Sequence, residues 1–489
     1  MIAQAAAGVA AGGVALVWFR QDLRLADNPA LVAAVASGLP VVPAFVLAEG
    51  DGSRPWGGAS RWWLDKSLRS LGASLGDLGS RLVLRRGDPT LQILSLARQV
   101  GAAKVFWNRI YDAPGIARDT ALKSALREDG IEVQSFNAGL LDEPWTVKTG
   151  VGGDFKVFTP YWRAARALLK GVKPQAAPNA LVSPVAWPES EDLDAWGLHP
   201  RAPDWSGGFE AWRPGEGGAE TRVDHFLETG LDGYGVRRDL PGGEAFSRLS
   251  PHLHWGEIGP RQVWRQSHAY VENRPDLASD LGKFLSELGW REFNHHLLFH
   301  NPTLPTENFR RNFDRFPWRN DPAGLEAWRR GRTGYPIVDA GMRELWATGF
   351  MHNRVRMVVA SFLIKHLLID WREGEAWFWD TLLDADLANN VANWQWSAGC
   401  GADAAPFFRI FNPVTQGEKF DGEGVYVRRW VPELARLPNA VLHSPWMASE
   451  PVLDRAGVRL GLDYPRPIVD HAMARQQALE AFKGLKVLD

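Results

Sequence analysis

GFMHNRVRMVVASFLIKHLLIDWREGEAWFWDTLLDADLANNVANWQWSAGCGADAAPFFRIFNP, residues 349–413, is the stretch on which the fold turns. Apolar residues at helical spacing, broken by short polar turns, predict two or three helices here. Those helices carry Arg354, Arg356, Asp384, Asp386, Asn389, Asn390 and Asn393 among many aromatic and aliphatic residues. Charges are costly to bury unless paired, and buried polar groups require hydrogen-bond partners. The pattern therefore implies a large, partly polar molecule held in a helical cage.

Working outward, the helical pattern extends back to about residue 216, through ETRVDHFLETGLDGY, PRQVWRQSHAYVE, LGKFLSELGWREFNHHLLFH and VDAGMRELWATGF. Residues 216–489 are thus expected to form an all-helical domain. From Val14 to about residue 140 the pattern changes. The apolar runs VALVWF, VVPAFVL, RLVLRRGD, AKVFWN and IEVQSF alternate with helical stretches, the signature of a doubly wound parallel sheet. No Gly-x-Gly-x-x-Gly follows the first run, so the usual dinucleotide site is unsupported. Between the two, residues 141–215 are rich in Pro, Gly and Trp and lack periodicity, which reads as an interdomain linker draped over the surface. Residues 1–13 read as a disordered extension.

Composition bounds the compartment and excludes several classes. The chain has 489 residues, 45% hydrophobic and 23% charged, as in ordinary globular proteins. No apolar run reaches the roughly 18 residues of a spanning helix, and the N-terminus lacks a signal-peptide pattern, so a cytoplasmic protein without a membrane is expected. Cys400 is the only cysteine, which excludes an internal disulfide framework and cysteine-based zinc sites. The formal charge of −2 gives no argument for nucleic-acid binding, which would need a local basic rim. The anomaly is indole: 24 Trp and 23 Phe stand against seven Tyr. Most serve as core filler, and a few are free to carry chemistry.

Several local patterns are candidates. Phe246, Ser247, Arg248, Leu249 and Ser250 form a polar turn before Pro251, suited either to N-capping a helix or to holding phosphate oxygens. Glu287 and Arg291 are four apart beside Trp290, which fits an i,i+4 ion pair or a shared site. His296 and His300 have metal-pair spacing without the Glu that the usual motif needs, and no metal is assigned. Asn353, Arg356 and Met357 share one helical face. Arg356 needs a carboxylate if buried, and Asp384 or Asp386 is the candidate. Asn390 can offer an amide to a heteroaromatic ring. Trp394 and Trp396, two apart, point in different directions on a helix.

With these residues in place, the chain resembles the class I cyclobutane pyrimidine dimer photolyases of the photolyase and cryptochrome family. The resemblance runs from Val14 to the C-terminus and is densest in WFRQDLRLADNPAL, FSRLSP, WREF, GRTGYPIVDAGMREL, MHNRVRM, DWREGE, DADLANN, NWQWSAG and FRIFNPVTQGEKFD. It implies an α/β antenna-chromophore domain over 14–140, the linker over 141–215, and a helical catalytic domain over 216–489 that holds FAD. It implies flavin contacts from Tyr234, Phe246 to Ser250, Arg291, Arg356, Asp384, Asp386 and Asn390, with Asn390 facing flavin N5. Phe246 departs from the Thr of many relatives, so a hydroxyl contact is lost there. The resemblance further implies a lesion pocket of Glu287, Trp290, Asn353, Met357 and Trp396, with Arg238 and Arg354 on the DNA side. Trp394, Trp371 and Trp318 match an electron relay. A second antenna chromophore, methenyltetrahydrofolate or a deazaflavin, is implied without a choice between them, near Asn108, Tyr111 and Asp112.

The expected activity is light-driven repair of dimers in damaged DNA by a monomer that needs no protein partner. A 6-4 photolyase is the nearest enzymatic alternative, although such relatives carry a histidine pair where this chain has Asn353 and Met357. A cryptochrome that senses blue light without repair is the alternative from another class.

Overall fold

The computed structural model describes residues 13–50, 52–169, 171–404 and 408–486, so residues 1–12 of the expected N-terminal extension lie outside the described residues. Five strands, β1 (Val14–Phe19), β2 (Val41–Ala48), β3 (Val83–Gly87), β4 (Ala102–Asn108) and β5 (Glu132–Phe136), pair in parallel in the order β3-β2-β1-β4-β5. All six residues of β1 are buried because both faces of the sheet are covered. Side chains alternate along the strand: Ala15, Val17 and Phe19 pack with Leu31, Trp63 and Leu68 on one side. Leu16 and Trp18 pack with Ile93, Leu96, Leu122 and Leu126 on the other. These contacts come from helices α1 (Pro29–Ala36), α2 (Gly58–Asp77), α3 (Pro89–Val100) and α4 (Ala113–Glu128). The α1 start shows why the sequence folds so locally. Asn28 caps it by accepting from the Leu31 N–H at 3.1 Å, and Pro29 opens the first turn.

The stretch expected to drape over the surface does more than connect. It contains helix α5 (Phe158–Leu168), and Leu181, Leu193, Trp196, Leu198 and Phe209 are buried in the sheet-side core. Spacing missed this because each anchor is an isolated apolar residue in an irregular backbone.

Helices dominate the C-terminal half of the chain, and five of them build the candidate site. They are α6 (Ala278–His300), α7 (Pro336–Thr348), α8 (Asn353–Ser361), α9 (Trp371–Thr381) and α10 (Leu387–Ala398). A single π-turn, Phe362–His366, continues from α8 and is wholly buried. It delays the chain before α9, and Leu368 just after it takes a positive φ of 55°. Helices α9 and α10 approach closely at Gly374, where an added Cβ would lie 2.1 Å from the Trp394 ring. Only glycine admits that indole against the helix backbone.

Candidate functional site

The N-terminus of α8 gathers much of the expected set. His352 caps it, its Nδ1 accepting from the Arg354 N–H at 3.2 Å, while its Nε2 donates to the Arg238 carbonyl at 2.9 Å. Burial pushes the His352 pKa down to about 4, so the ring is neutral and holds both bonds at once. Asn353 is exposed, whereas Arg354, Arg356 and Met357 are half-buried. Arg354 pairs with Asp239 at 2.9 Å. Arg356 donates to the Met351 carbonyl at 2.7 Å and to Asp384 at 2.8 Å, which settles its carboxylate partner as Asp384.

Asp384 is buried, and its second oxygen, Oδ1, has no hydrogen-bond partner. Asp386 caps α10 by accepting from the Asn389 N–H at 2.8 Å. Burial opposes its ionisation, yet His295 at 3.4 Å and His254 at 3.9 Å hold its pKa well below the usual carboxylate value. Nε2 of His254 is buried without a hydrogen-bond partner, whereas Nε2 of His295 is the atom that faces Asp386. Asn390 donates from Nδ2 to Glu375 Oε1 at 2.8 Å and to the Glu375 carbonyl at 3.1 Å.

Phe246 to Ser250 forms the expected turn before a one-turn helix at Ser250–His254. Arg248 sits there at a φ of +52°, an arrangement uncommon for a side-chain-bearing residue, with its guanidinium 5.1 Å from the Phe246 ring. Phe246 stacks with Phe350 at 6.1 Å. Ser247 accepts weakly from the Leu249 N–H, and Ser250 is exposed. Tyr234 is buried edge-on against Phe226 and Phe284. Arg291 donates to the Gly139 carbonyl at 2.7 Å, which ties α6 to the segment after β5.

Glu287 and Arg291 do not pair with each other. Glu287 instead forms an ion pair with Arg238, 49 residues away, and Arg291 contacts Glu292 at 3.3 Å. Trp290 is half-buried, one face stacked on Phe158 of α5 at 3.8 Å and 9°. Trp396 is half-buried with Arg409 over its ring. His296 and His300 both donate to the Pro144 carbonyl, at 3.0 and 3.2 Å, and His296 accepts from the Phe155 N–H at 3.2 Å. Among the described residues no cluster of three or more potential ligands is arranged around a metal position.

The three relay candidates grade from inside to outside. Trp394 and Trp371 are buried and Trp318 is half-buried. Trp371 donates to Asn308 at 2.9 Å, and the Arg319 N–H beside Trp318 bonds the Leu368 carbonyl at 2.7 Å, three residues before Trp371. In the sheet region, Asn108 donates to Asp22 and Asn28, the Tyr111 hydroxyl donates to Glu143 at 2.8 Å, and Asp112 caps α4. The three antenna candidates are therefore engaged by the chain itself.

Sequence reasoning missed Phe158, Asp239, His352, Glu375 and Arg54. Their signal is three-dimensional: the first four meet a recognised site residue from another segment or from a helix cap, and Arg54 meets Glu375.

A parallel-sheet region joined to a helical region, with unfilled polar atoms buried among arginine, carboxylate and amide, defines a two-part protein built to hold a large polar cofactor. The comparisons give that class its family. Residues 15–180 match the DNA photolyase family model, and residues 284–484 match the FAD-binding domain of DNA photolyase. A deoxyribodipyrimidine photo-lyase of Agrobacterium fabrum is 52% identical across 96% of this chain and 98% of its own length. A cryptochrome of Arabidopsis thaliana is 40% identical across 96% of this chain and 70% of its own. A crystal structure described as a bacterial class III photolyase from Agrobacterium tumefaciens superposes with a TM-score of 0.94 at 51% identity, covering 99% of this chain and all of that one. The chain belongs to the DNA photolyase family, which includes the cryptochromes, and its helical region is an FAD-binding domain.

Proposed function

We propose that this chain is a deoxyribodipyrimidine photo-lyase that repairs cyclobutane pyrimidine dimers in damaged DNA under blue light. The observation that carries the reading is the convergence of Arg238 and Glu287 with the α8 face of Asn353, Arg354 and Met357, joined through His352. The residues present fit FAD. The free Oδ1 of Asp384 and the unpartnered Nε2 of His254 are buried polar groups that a bound molecule would satisfy. Tyr234, Phe246 to Ser250, Arg291, Arg356, Asp384, Asp386 and Asn390 would hold it. Reduced FAD, when bound, supplies the light-driven electron that opens the cyclobutane ring.

The chain's own residues do the rest. Trp290 and Trp396 give flat apolar walls to a dimer flipped out of the duplex, and Glu287 and Asn353 give hydrogen bonds to its pyrimidine edges. Met357 closes the apolar side, while Arg238 and Arg354 sit where phosphates approach. Because both arginines are already paired, with Glu287 and Asp239, DNA binding has to share those carboxylates. Trp394, Trp371 and Trp318 pass electrons between the buried centre and the surface.

On this reading residues 14–140 form the antenna-chromophore domain, 141–215 the linker and 216–489 the catalytic domain. The second chromophore is methenyltetrahydrofolate or a deazaflavin. The protein acts as a cytoplasmic monomer, in keeping with its single, buried cysteine. Among the described residues no helix is long and apolar enough to cross a membrane.

Purified protein, chemically reduced and given dimer-containing DNA, should remove the dimers under blue light and not in the dark. Flavin-loaded protein that binds such DNA and leaves the dimers intact would favour the cryptochrome reading. The relay is tested by Trp394→Phe, which should abolish light-driven flavin reduction yet keep repair once the flavin is reduced chemically. Photoreduction equal to the parent's would remove Trp394 from the relay.

A further inference from the structure

Asn390 has its amide orientation dictated by its neighbours. The two atoms within reach of Nδ2, the carboxylate oxygen and the backbone carbonyl of Glu375, can only accept, so the NH2 end must face them. Among the described residues nothing donates to its Oδ1, which is left as the open end. Glu375 is buried, at 5% exposure, and a buried carboxylate needs a cation. That cation is Arg54, which reaches Glu375 from the loop between β2 and α2, with Nη1 at 2.7 and 3.0 Å from the two carboxylate oxygens.

The loop is closely fitted to α9. The Arg54 guanidinium lies 4.4 Å from the Trp379 ring, and Trp379 donates to the Pro55 carbonyl at 2.8 Å. Trp56 stacks on Trp379 at 5.7 Å and 12°, and the Gly58 N–H donates to Asp380 at 2.8 Å. At Gly57 an added Cβ would fall 2.2 Å from the Trp379 carbonyl, so only glycine permits this approach.

We propose that Arg54 is a positioning residue for the flavin's redox state: through Glu375 it fixes the Asn390 amide with the carbonyl oxygen as its open end. The inference rests on the reading above that Asn390 faces flavin N5. The reduced ring carries a hydrogen at N5 and the oxidised ring carries none. A fixed carbonyl oxygen accepts from the first and cannot donate to the second, so this clamp favours reduced FAD. A loop from the sheet region thereby tunes a centre in the helical region.

The test uses FAD-loaded full-length protein and reads the flavin midpoint potential by dye-coupled titration, with flavin content and melting temperature alongside. Arg54→Ala should lower the ratio of reduced to oxidised flavin at a fixed potential by about tenfold, the equilibrium equivalent of one hydrogen bond. Arg54→Lys, which keeps the charge, should recover most of that shift. Glu375→Gln, whose amide lets Asn390 turn over, should act in the same direction and serves if Arg54→Ala does not fold. Asn390→Ala separates the two ideas. If it leaves the potential unmoved, the placement of Asn390 at the flavin fails. If it shifts the potential while Arg54→Ala and Glu375→Gln, both folded and flavin-loaded, match the parent, the Arg54 proposal alone is overturned.

Discussion

Two regions of this molecule bury charge, and they do it in opposite ways. At the carboxyl ends of β1 and β4, where the strand order reverses and open α/β sheets usually bind ligands, the carboxylates are spoken for. Asp22 accepts from the Arg20 N–H at 2.5 Å and from Asn108 at 2.6 Å, and Asp119 accepts from Arg20 at 2.8 Å and from Trp107 at 2.9 Å. Between α8 and α10, Asp384 spends one oxygen on Arg356 and keeps the other unused, with the bare Nε2 of His254 also buried. Both sets are costly to desolvate, but only in the first is every named carboxylate oxygen filled, although Arg20 Nε there is buried without a partner. Burial of charge is thus a weak pointer to a site, and an unfilled carboxylate oxygen among buried charges is a stronger one.

The sharpest attempt to break the contrast exchanges one carboxylate in each region. Asp384→Asn leaves Arg356 without its counter-charge. It should cost about 3 kcal/mol, the low end for a broken buried pair because Arg356 keeps 24% of its side chain in water. Flavin content, read from absorbance after purification, should fall close to zero. Asp22→Asn should cost ~1–3 kcal/mol in unfolding free energy by setting two amide donors against each other, with flavin content unchanged. Equal flavin loss in both variants would dissolve the distinction.

A second test asks whether closure goes with the helical region or with the hydrogen bonding. Glu292, on α6, is a closed carboxylate in the open half: it accepts from the Leu141 N–H at 2.8 Å and from Arg291 at 3.3 Å. Burial pushes its pKa up to about 7 from 4.5. The folded state therefore keeps a proton that the unfolded state releases, and stability falls as pH rises between about 4.5 and 7. Each pH unit in that window is worth about 1.4 kcal/mol. Glu344, also raised to about 7 by burial, adds a second such slope. Glu292→Gln should remove one of the two, so in denaturant melts from pH 4.5 to 7 its stability relative to the parent's should rise by about 1.4 kcal/mol per pH unit. His296 and His352, lowered to about 4, and His366, lowered to about 3, have the opposite sign and act alike in both proteins below pH 6.5, so the difference between the two proteins carries the test.

These contacts also mark how far the sequence could be read. The five parallel strands were legible because β1 and its neighbours are apolar on both faces and run five to eight residues between turns. The Arg356–Asp384 pair was legible because charges 28 residues apart lay in one apolar stretch. Arg238 with Glu287 and Arg54 with Glu375 were not, since each joins segments whose proximity only the chain path sets. The π-turn was hidden for another reason: FLIKH has the same apolar spacing as an α-helix, and its register depends on the packing around Lys365 and His366. The class I expectation stands beside a solved neighbour described as a class III photolyase.

The closed and open contrast recurs on a single side chain in Trp290. One face is closed by Phe158, and the other is the proposed wall for a flipped base. Trp290→Ala should weaken binding to dimer-containing DNA by ~1–3 kcal/mol, the range for base–aromatic stacking, with flavin content intact. Unchanged affinity would move the lesion pocket elsewhere.

Phe158→Ala probes the closed face and should have the smallest effect on lesion binding. An aromatic pair contributes ~0.5–1.5 kcal/mol beyond its buried area, and here that contribution holds the indole plane still. With the buried area lost as well, the fold should lose about 3–5 kcal/mol of stability, and lesion binding should weaken by less than in Trp290→Ala, because the open face survives but loses its support. The double variant decides the cause. If Phe158 acts only through Trp290, adding Phe158→Ala to Trp290→Ala should cost no further affinity, and the cycle should show a coupling close to the whole Phe158 effect. Additive losses would mean that Phe158 meets the DNA on its own account. No loss from Phe158→Ala alone would mean that the indole is held from its edge by Phe293, 5.9 Å away, and that the closed face is packing without consequence for the open one.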